Sequence, residues 1–344
     1  MCMRPNLVYK NKETGEVKFL GNYNRILEET SSKKPKLDYD NFVIVPCGKC
    51  PECRQKWRRQ LAERVRYELI SRRDRAMFIT LTYNNDNLPV GGSLVHRDVQ
   101  LFMKRLRRQL EYYYMTRVRA FICGEYGHKN GRPHYHLIVF GVSHDMLEQF
   151  GKSYYWRKSK KGHVQYRNPW LEKCWSKRVR VLGDNGKWHT ELQPLGFVEV
   201  GDVLDSSAPY MAKYMVKYSD ISKVEFEEKT GGLKKPYIVY PSEMLGKEYF
   251  LEHFEEILQR GYILDSAGNS VGIPRSFLNC CARYEETWDC LELYYTNVQN
   301  AIQKELDDYR TRGYTYFEMY EEKFKKGEEL EEIYWSKKGG KIFG

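Results

Sequence analysis

Apolar residues recur along this 344-residue chain in two periods, and the change from one period to the other marks its elements. Ala76 to Tyr83 alternates in character and stops at the turn Asn84-Asn85-Asp86-Asn87, which predicts a strand. His96 to Tyr114 places Val99, Phe102, Met103, Leu106 and Leu110 on one helical stripe, with Lys104, Arg105, Arg107 and Arg108 outside it. Val118 to Cys123 and Leu137 to Phe140 are continuous runs of strand formers, and His128, Lys129, Asn130, Gly131 and Pro133 between them read as a hairpin turn. A short helix near Asp145 to Phe150 and a last strand, Gly196-Phe197-Val198-Glu199-Val200, follow. Upstream, Trp57, Leu61, Val65 and Leu69 recur every four residues and predict one long helix from Arg54 to Arg75. The order β, α, β, β, α predicts an α+β fold, an antiparallel sheet with flanking helices.

The flanks differ from this middle. The first 45 residues show little periodicity, and Ser31-Ser32-Lys33-Lys34-Pro35-Lys36 reads as a loop. Beyond Asp220, Glu252 to Gln259, Arg283 to Tyr309 and Phe317 to Trp335 read as acidic amphipathic helices that carry no recognisable chemistry. Three parts result: 1–60, a cysteine-cluster segment leading into a basic helix; 61–220, the sheet domain, with a basic aromatic insert near 152–187; and 221–344, an acidic, mainly helical accessory region.

Within the sheet domain, His134 and His136 open a strand, and side chains two apart share a face. Two imidazoles on one face make half of a metal site, and the hairpin carries the Glu125 carboxylate back beside them. A pair of satisfied core histidines is the competing reading. Pro209 to Tyr218 spaces Tyr210, Tyr214 and Tyr218 four apart on one helix face, with Lys213 and Lys217 on the next ridge, Ser206 or Ser207 as cap and Pro209 in the first turn. Phenols beside ammonium groups are candidate nucleophiles; in a chain with 28 tyrosines, a packing stripe is the alternative.

Cys47, Cys50 and Cys53 form a C-x2-C-x2-C run. Trp57 stands where a ferredoxin pattern would need its fourth cysteine, which argues against an iron–sulfur cluster, whereas Cys2 could complete a structural Zn²⁺ site. Ordinary buried cysteines are the alternative. Nine cysteines without an apolar leader point to a reducing compartment, and no stretch approaches the roughly 18 apolar residues of a membrane span.

The formal net charge of +11 is unevenly spread: residues 1–220 hold 40 Lys plus Arg against 23 Asp plus Glu, and residues 221–344 hold 17 against 23. The basic part is the expected polyanion-binding part. Arg54, Arg58, Arg59 and Arg66 on the long helix, Lys104 and Arg107 on the next, and Arg157 and Lys158 in the insert are the candidate phosphate contacts. Aromatics interleaved with cations, as in Tyr154-Tyr155-Trp156-Arg157-Lys158, suit the stacking of unpaired bases.

The strand Phe78-Ile79-Thr80-Leu81-Thr82-Tyr83, the His134-Tyr135-His136 strand and the helix with Tyr210, Lys213 and Tyr214 together resemble the three motifs of HUH rolling-circle replication initiators. The leading Met1-Cys2, Pro46-Cys47-Gly48-Lys49-Cys50-Pro51-Glu52-Cys53-Arg54 and Ile273-Pro274-Arg275 are similar to the gokushovirus branch of the microviruses, whose hosts are bacteria. The likeness covers residues 1–220 well and the remainder poorly. It implies an HUH endonuclease fold; Mn²⁺ or Mg²⁺ held by His134, His136 and Glu125; and Tyr210 and Tyr214 as nucleophiles, with Lys213 or Lys217 favouring the phenolate. It also implies work in the host cytoplasm on origin DNA, double-stranded and single-stranded, beside the host helicase and polymerase. No P-loop is present, so nucleotide hydrolysis is not expected. A relaxase or single-strand transposase would share the chemistry, although relaxases usually carry a third histidine where this chain has Glu125. A zinc hydrolase would use the histidines with water and no tyrosine. A non-enzymatic, zinc-containing DNA-binding protein would leave both histidines and tyrosines idle.

Overall fold

The computed structural model describes residues 2, 5–11, 13–23, 25–26, 42–73, 75–127, 130–159, 162–184, 186–204, 207, 210–211, 222–241, 243–314, 318 and 325. Lys213, Tyr214, Lys217 and Tyr218, together with nearly all of the expected Phe317 to Trp335 helix, lie outside the described residues.

Strands β1 (Asn6–Lys10), β2 (Val17–Asn22) and β3 (Phe42–Val45) form a small antiparallel sheet in the order β2-β1-β3, in the stretch whose sequence shows little period. The residues of β2 from Val17 to Leu20 are exposed, so no buried face imprints an alternation on them.

The main sheet is antiparallel throughout, in the order β12-β5-β6-β4-β11-β8-β7. Its centre is β4 (Ala76–Tyr83), β5 (Arg119–Tyr126), β6 (Pro133–Phe140) and β11 (Gly196–Asp202). One edge is the hairpin of β7 (Tyr154–Lys158) and β8 (Val164–Arg167), which the basic aromatic insert supplies. The other edge is β12 (Tyr237–Val239), so a short strand from beyond residue 220 hydrogen-bonds to β5. A second, exposed hairpin pairs β9 (Ser176–Leu182) with β10 (Trp188–Pro194). The architecture is α+β, built on a large antiparallel sheet.

Each face of the sheet has its own core. Met77, Ile79, Leu81, Leu137, Val139 and Val198 meet Val99, Phe102, Met103, Leu106 and Leu110 of the His96–Tyr114 helix, the stripe expected from sequence. On the opposite face Phe121, Cys123, Ile138 and Phe140 meet Leu61 and Val65 of the Pro51–Ser71 helix and Met211. That helix stops before Arg75 because Arg73 turns left-handed at φ 51°. Its outer side, through Tyr67, packs on Phe250, Ile257, Phe277, Cys281 and Leu291 of the carboxyl-terminal part. The helix expected from Glu252 to Gln259 runs from Phe254 to Arg260, and a separate helix, Lys247–Glu252, precedes it across His253. A further small hairpin, β13 (Tyr262–Leu264) with β14 (Ser270–Gly272), precedes the long Trp288–Thr311 helix. Among the described residues no helix is long and apolar enough to cross a membrane.

Candidate metal centre and nucleic-acid cleft

The Pro51–Ser71 helix covers only part of its sheet face, and register decides what the uncovered part displays. Opposite residues of antiparallel strands share a face, so Glu125, His134, Thr82 and Phe197 form one row across β5, β6, β4 and β11. Cys123, His136, Thr80 and Glu199 form the next. This floor opens into a cleft of about 820 Å³, walled by Phe78, Tyr166, Arg157 and Tyr210.

Glu125 is buried at 2% exposure, and its Oε1 lies 2.9 Å from Nε2 of both His134 and His136. The expected trio is thus brought together, with potential ligand atoms within 4.8 Å of one another. Nδ1 of His134 faces the Arg132 carbonyl at 3.1 Å, which can only accept, so in the neutral ring Nδ1 carries the proton and Nε2 presents its lone pair. Nδ1 of His136 is held by Thr80 Oγ1 at 3.1 Å. The His134 lone pair and a carboxylate oxygen therefore face each other beside His136 Nε2, an arrangement that calls for a proton or a cation between them. Oε2 of Glu125 is buried and, among the described residues, accepts no hydrogen bond. The residues present fit a divalent ion with mixed nitrogen and oxygen ligands.

The electrostatics agree. Burial acts to raise the Glu125 pKa, but hydrogen bonds and charge from His134 and His136 outweigh it and hold the carboxyl below its ordinary value. Burial pushes His136 below the ordinary imidazole value, against the pull of Glu125. For Glu125 and His136 the ligand-competent forms, ionised carboxylate and neutral imidazole, are the ones favoured.

Tyr210 places its hydroxyl 3.4 Å from His136 Nε2, with its ring edge-on to Phe78 and His136. It is 40% exposed, so one side of the phenol faces the cleft. Met211, the next residue, is fully buried in the core beneath and anchors this point of the chain.

Glu199, Thr80, Arg132 and Phe197 also belong to the site and were given no role from sequence, and Trp156 and Arg167 of the basic aromatic insert stack beside Phe197. Glu199 binds Arg157 at 2.8 Å, which holds that cation across the cleft. The Arg167 guanidinium lies 3.6 Å from the Trp156 ring centre and 4.8 Å from that of Phe197, and both rings stay more than 40% exposed. The available signal was Glu199 and Phe197 alternating with buried Val198 and Val200, a strand with an acid on its polar face.

The other expected cations are dispersed. Arg54 lies inside the fold at 8% exposure. Arg66 pairs with Glu63 and the Leu264 carbonyl, and Arg107 donates to the Val118 carbonyl, so both have structural duties. Arg58 and Arg59 line a groove with Leu204 and Asp265, and Leu204 also lines the histidine cleft. Lys104 and Lys158 are exposed. Cys2, Cys47, Cys50 and Cys53 do come together at the start of the basic helix.

Residues 76–219 match the family model for the replication-associated protein ORF2. The chain is 30% identical over 237 residues to replication-associated protein ORF4 of Chlamydia phage 1, an alignment covering 68% of this chain and 52% of that protein. It is 26% identical over 313 residues to replication-associated protein ORF2 of Spiroplasma virus 4, covering 88% and 86%, respectively. It is 27% identical over 290 residues to replication-associated protein VP4 of Bdellovibrio phage phiMH2K, covering 82% and 80%. The chain spans about half the length of the first relative and most of the other two. No solved structure matches it.

Proposed function

We infer the activity of this chain from the family to which it belongs, the replication-associated proteins of microviruses, and from the side chains gathered at its cleft. The chain is a rolling-circle replication initiator. It binds the viral origin in the host cytoplasm, nicks one strand by tyrosine attack, and later closes the displaced single strand into a circle while host helicase and polymerase copy the template. The observation that carries this reading is a partly exposed phenol, Tyr210, 3.4 Å from a buried imidazole of the Glu125–His134–His136 cluster.

The phenolate oxygen of Tyr210 attacks phosphorus, and the bond from phosphorus to the 3′ oxygen breaks. The electron pair leaves on that oxygen, which takes up a proton to become the priming 3′-OH. The tyrosine ester keeps the bond energy for resealing without a nucleotide cofactor. His134, His136 and Glu125 would hold Mn²⁺ or Mg²⁺, which would supply polarisation of the scissile phosphate and balance of its charge. Thr80 and the Arg132 carbonyl fix the two rings, and Arg157, held by Glu199, brings a cation to the strand. Tyr214 is assigned the second attack, and Lys213 and Lys217 the lowering of the phenol pKa from about 10.

The test is to incubate the full chain with Mn²⁺ and a single-stranded origin oligonucleotide and to map any covalent adduct. The Tyr210→Phe/Tyr214→Phe double variant should form none, either single variant should fail to release closed circles, and Tyr218→Phe should behave as wild type. Efficient cleavage without an adduct would instead mean that water attacks phosphorus, as in a hydrolytic nuclease.

A further inference from the structure

The sulfurs of Cys2, Cys47, Cys50 and Cys53 all lie within 4.8 Å of one another, with Cys2 and Cys50 at 3.9 Å. That separation is far beyond the roughly 2.05 Å of a disulfide. It matches the edge of about 3.8 Å that a tetrahedron has when metal–sulfur bonds are about 2.3 Å long. Spacing alone would also suit four packed thiols, so the surroundings decide.

The backbone N–H groups of Lys49 and Cys50 donate to Cys47 Sγ at 3.4 and 3.2 Å, and that of Cys47 donates to Cys2 Sγ at 3.1 Å. Several N–H donors aimed at sulfur stabilise a thiolate, because a neutral thiol is a weak acceptor. The Cys47-Gly48-Lys49-Cys50 turn that aims them needs a left-handed residue, and Gly48 provides it at φ 73°. Cys50 is the N-cap of the Pro51–Ser71 helix and Cys53 sits in its first turn, so one rigid element fixes two of the four sulfurs. Three N–H donors and one helix end thus hold four sulfurs at ligand spacing around a common centre.

We propose that Cys2, Cys47, Cys50 and Cys53 bind one structural zinc ion that clamps the amino-terminal sheet to the start of the basic helix. Each thiol releases its proton to solvent and donates a lone pair to the metal. With all four positions filled by sulfur no site remains for water, so the ion is structural and takes no part in strand cleavage. Cys2 lies four residues before β1 and Cys47 two after β3, so the ion joins both ends of that sheet to the helix. That same helix covers the nuclease sheet through Leu61 and Val65. The clamp thereby reaches the scaffold of the cleft, and it stands whether or not the tyrosine chemistry does.

Elemental analysis of the full chain, purified under reducing conditions without a metal-binding tag, tests the proposal. Wild type and the His134→Ala/His136→Ala variant should each hold about one zinc per chain, and Cys2→Ser and Cys53→Ser should lose it. A chain produced in cobalt-supplemented medium should show the sulfur-to-cobalt charge-transfer and strong visible bands of a tetrahedral thiolate site, a readout that survives if the cysteine variants fail to fold. Zinc-free wild type with four titratable thiols overturns the proposal. Zinc that leaves with the histidines rather than the cysteines, or iron with acid-labile sulfide, does so equally.

Discussion

Removing the Glu68 carboxylate should loosen the carboxyl-terminal part from the main sheet. Glu68 lies on the basic helix at 1% exposure, and its Oε1 accepts from Arg119 at 2.6 Å and from Arg72 at 3.2 Å. Its Oε2 accepts from the Gly246 N–H at 3.0 Å. Arg119, itself buried, begins β5 and also donates to the carbonyls of Glu243 and Met244 at 2.7 and 3.3 Å. Glu68→Leu keeps an apolar side chain of similar reach but leaves the Arg119 guanidinium buried with carbonyl partners alone. Breaking one side of such a pair costs about 3–5 kcal/mol. At a denaturant slope of about 2 kcal/mol per M, the urea midpoint should fall by roughly 1.5–2.5 M. The Glu68→Leu/Arg119→Met double variant, with no unpaired charge, should recover most of the loss, to within about 1–2 kcal/mol of wild type. A single variant within about 1 kcal/mol of wild type would show that water reaches the pair and that it does not hold the two parts together.

Three further outcomes follow from the cleft. His134→Ala, His136→Ala and Glu125→Ala should each abolish Mn²⁺-dependent nicking while changing duplex DNA affinity only a few-fold in a gel-shift titration, since the ligands serve chemistry and the distributed cations serve affinity; full nicking by the double histidine variant would remove the cluster from the mechanism. Because burial holds the His136 pKa below its ordinary value, the unfolded chain binds that proton more readily, so His136 costs metal-free wild type stability as pH falls through about 6.5. In chelator, the stability gap between wild type and His136→Asn should therefore shift against wild type from about pH 7.5 to about pH 5.5, and parallel urea midpoints would contradict the burial. Trp156→Ala or Phe197→Ala should weaken single-stranded DNA binding by about 1–3 kcal/mol, roughly 5- to 150-fold, with little effect on duplex DNA, as measured by fluorescence anisotropy; equal losses on both would mark the rings as packing only.

The sequence by itself determined the elements whose pattern is local. The strand Ala76–Tyr83 and the helix His96–Tyr114 with its five buried positions agree with the structure because one face of each is buried along its whole length, which writes a period into the residues. The pairing of His134 with His136, and the approach of Glu125, were equally legible, since both follow from strand alternation and one short hairpin. Only the tertiary structure decided which side chains from distant segments share that floor. Thr80 and Glu199 join His136 through strand register, and Tyr210 arrives from a segment 74 residues further on, contacts that no local period encodes. The fate of the cations was likewise tertiary. Arg54, Arg66 and Arg107 look alike in sequence to a cation that meets phosphate, yet burial and carbonyl partners claim them, because a guanidinium binds whatever acceptor the completed fold places in reach.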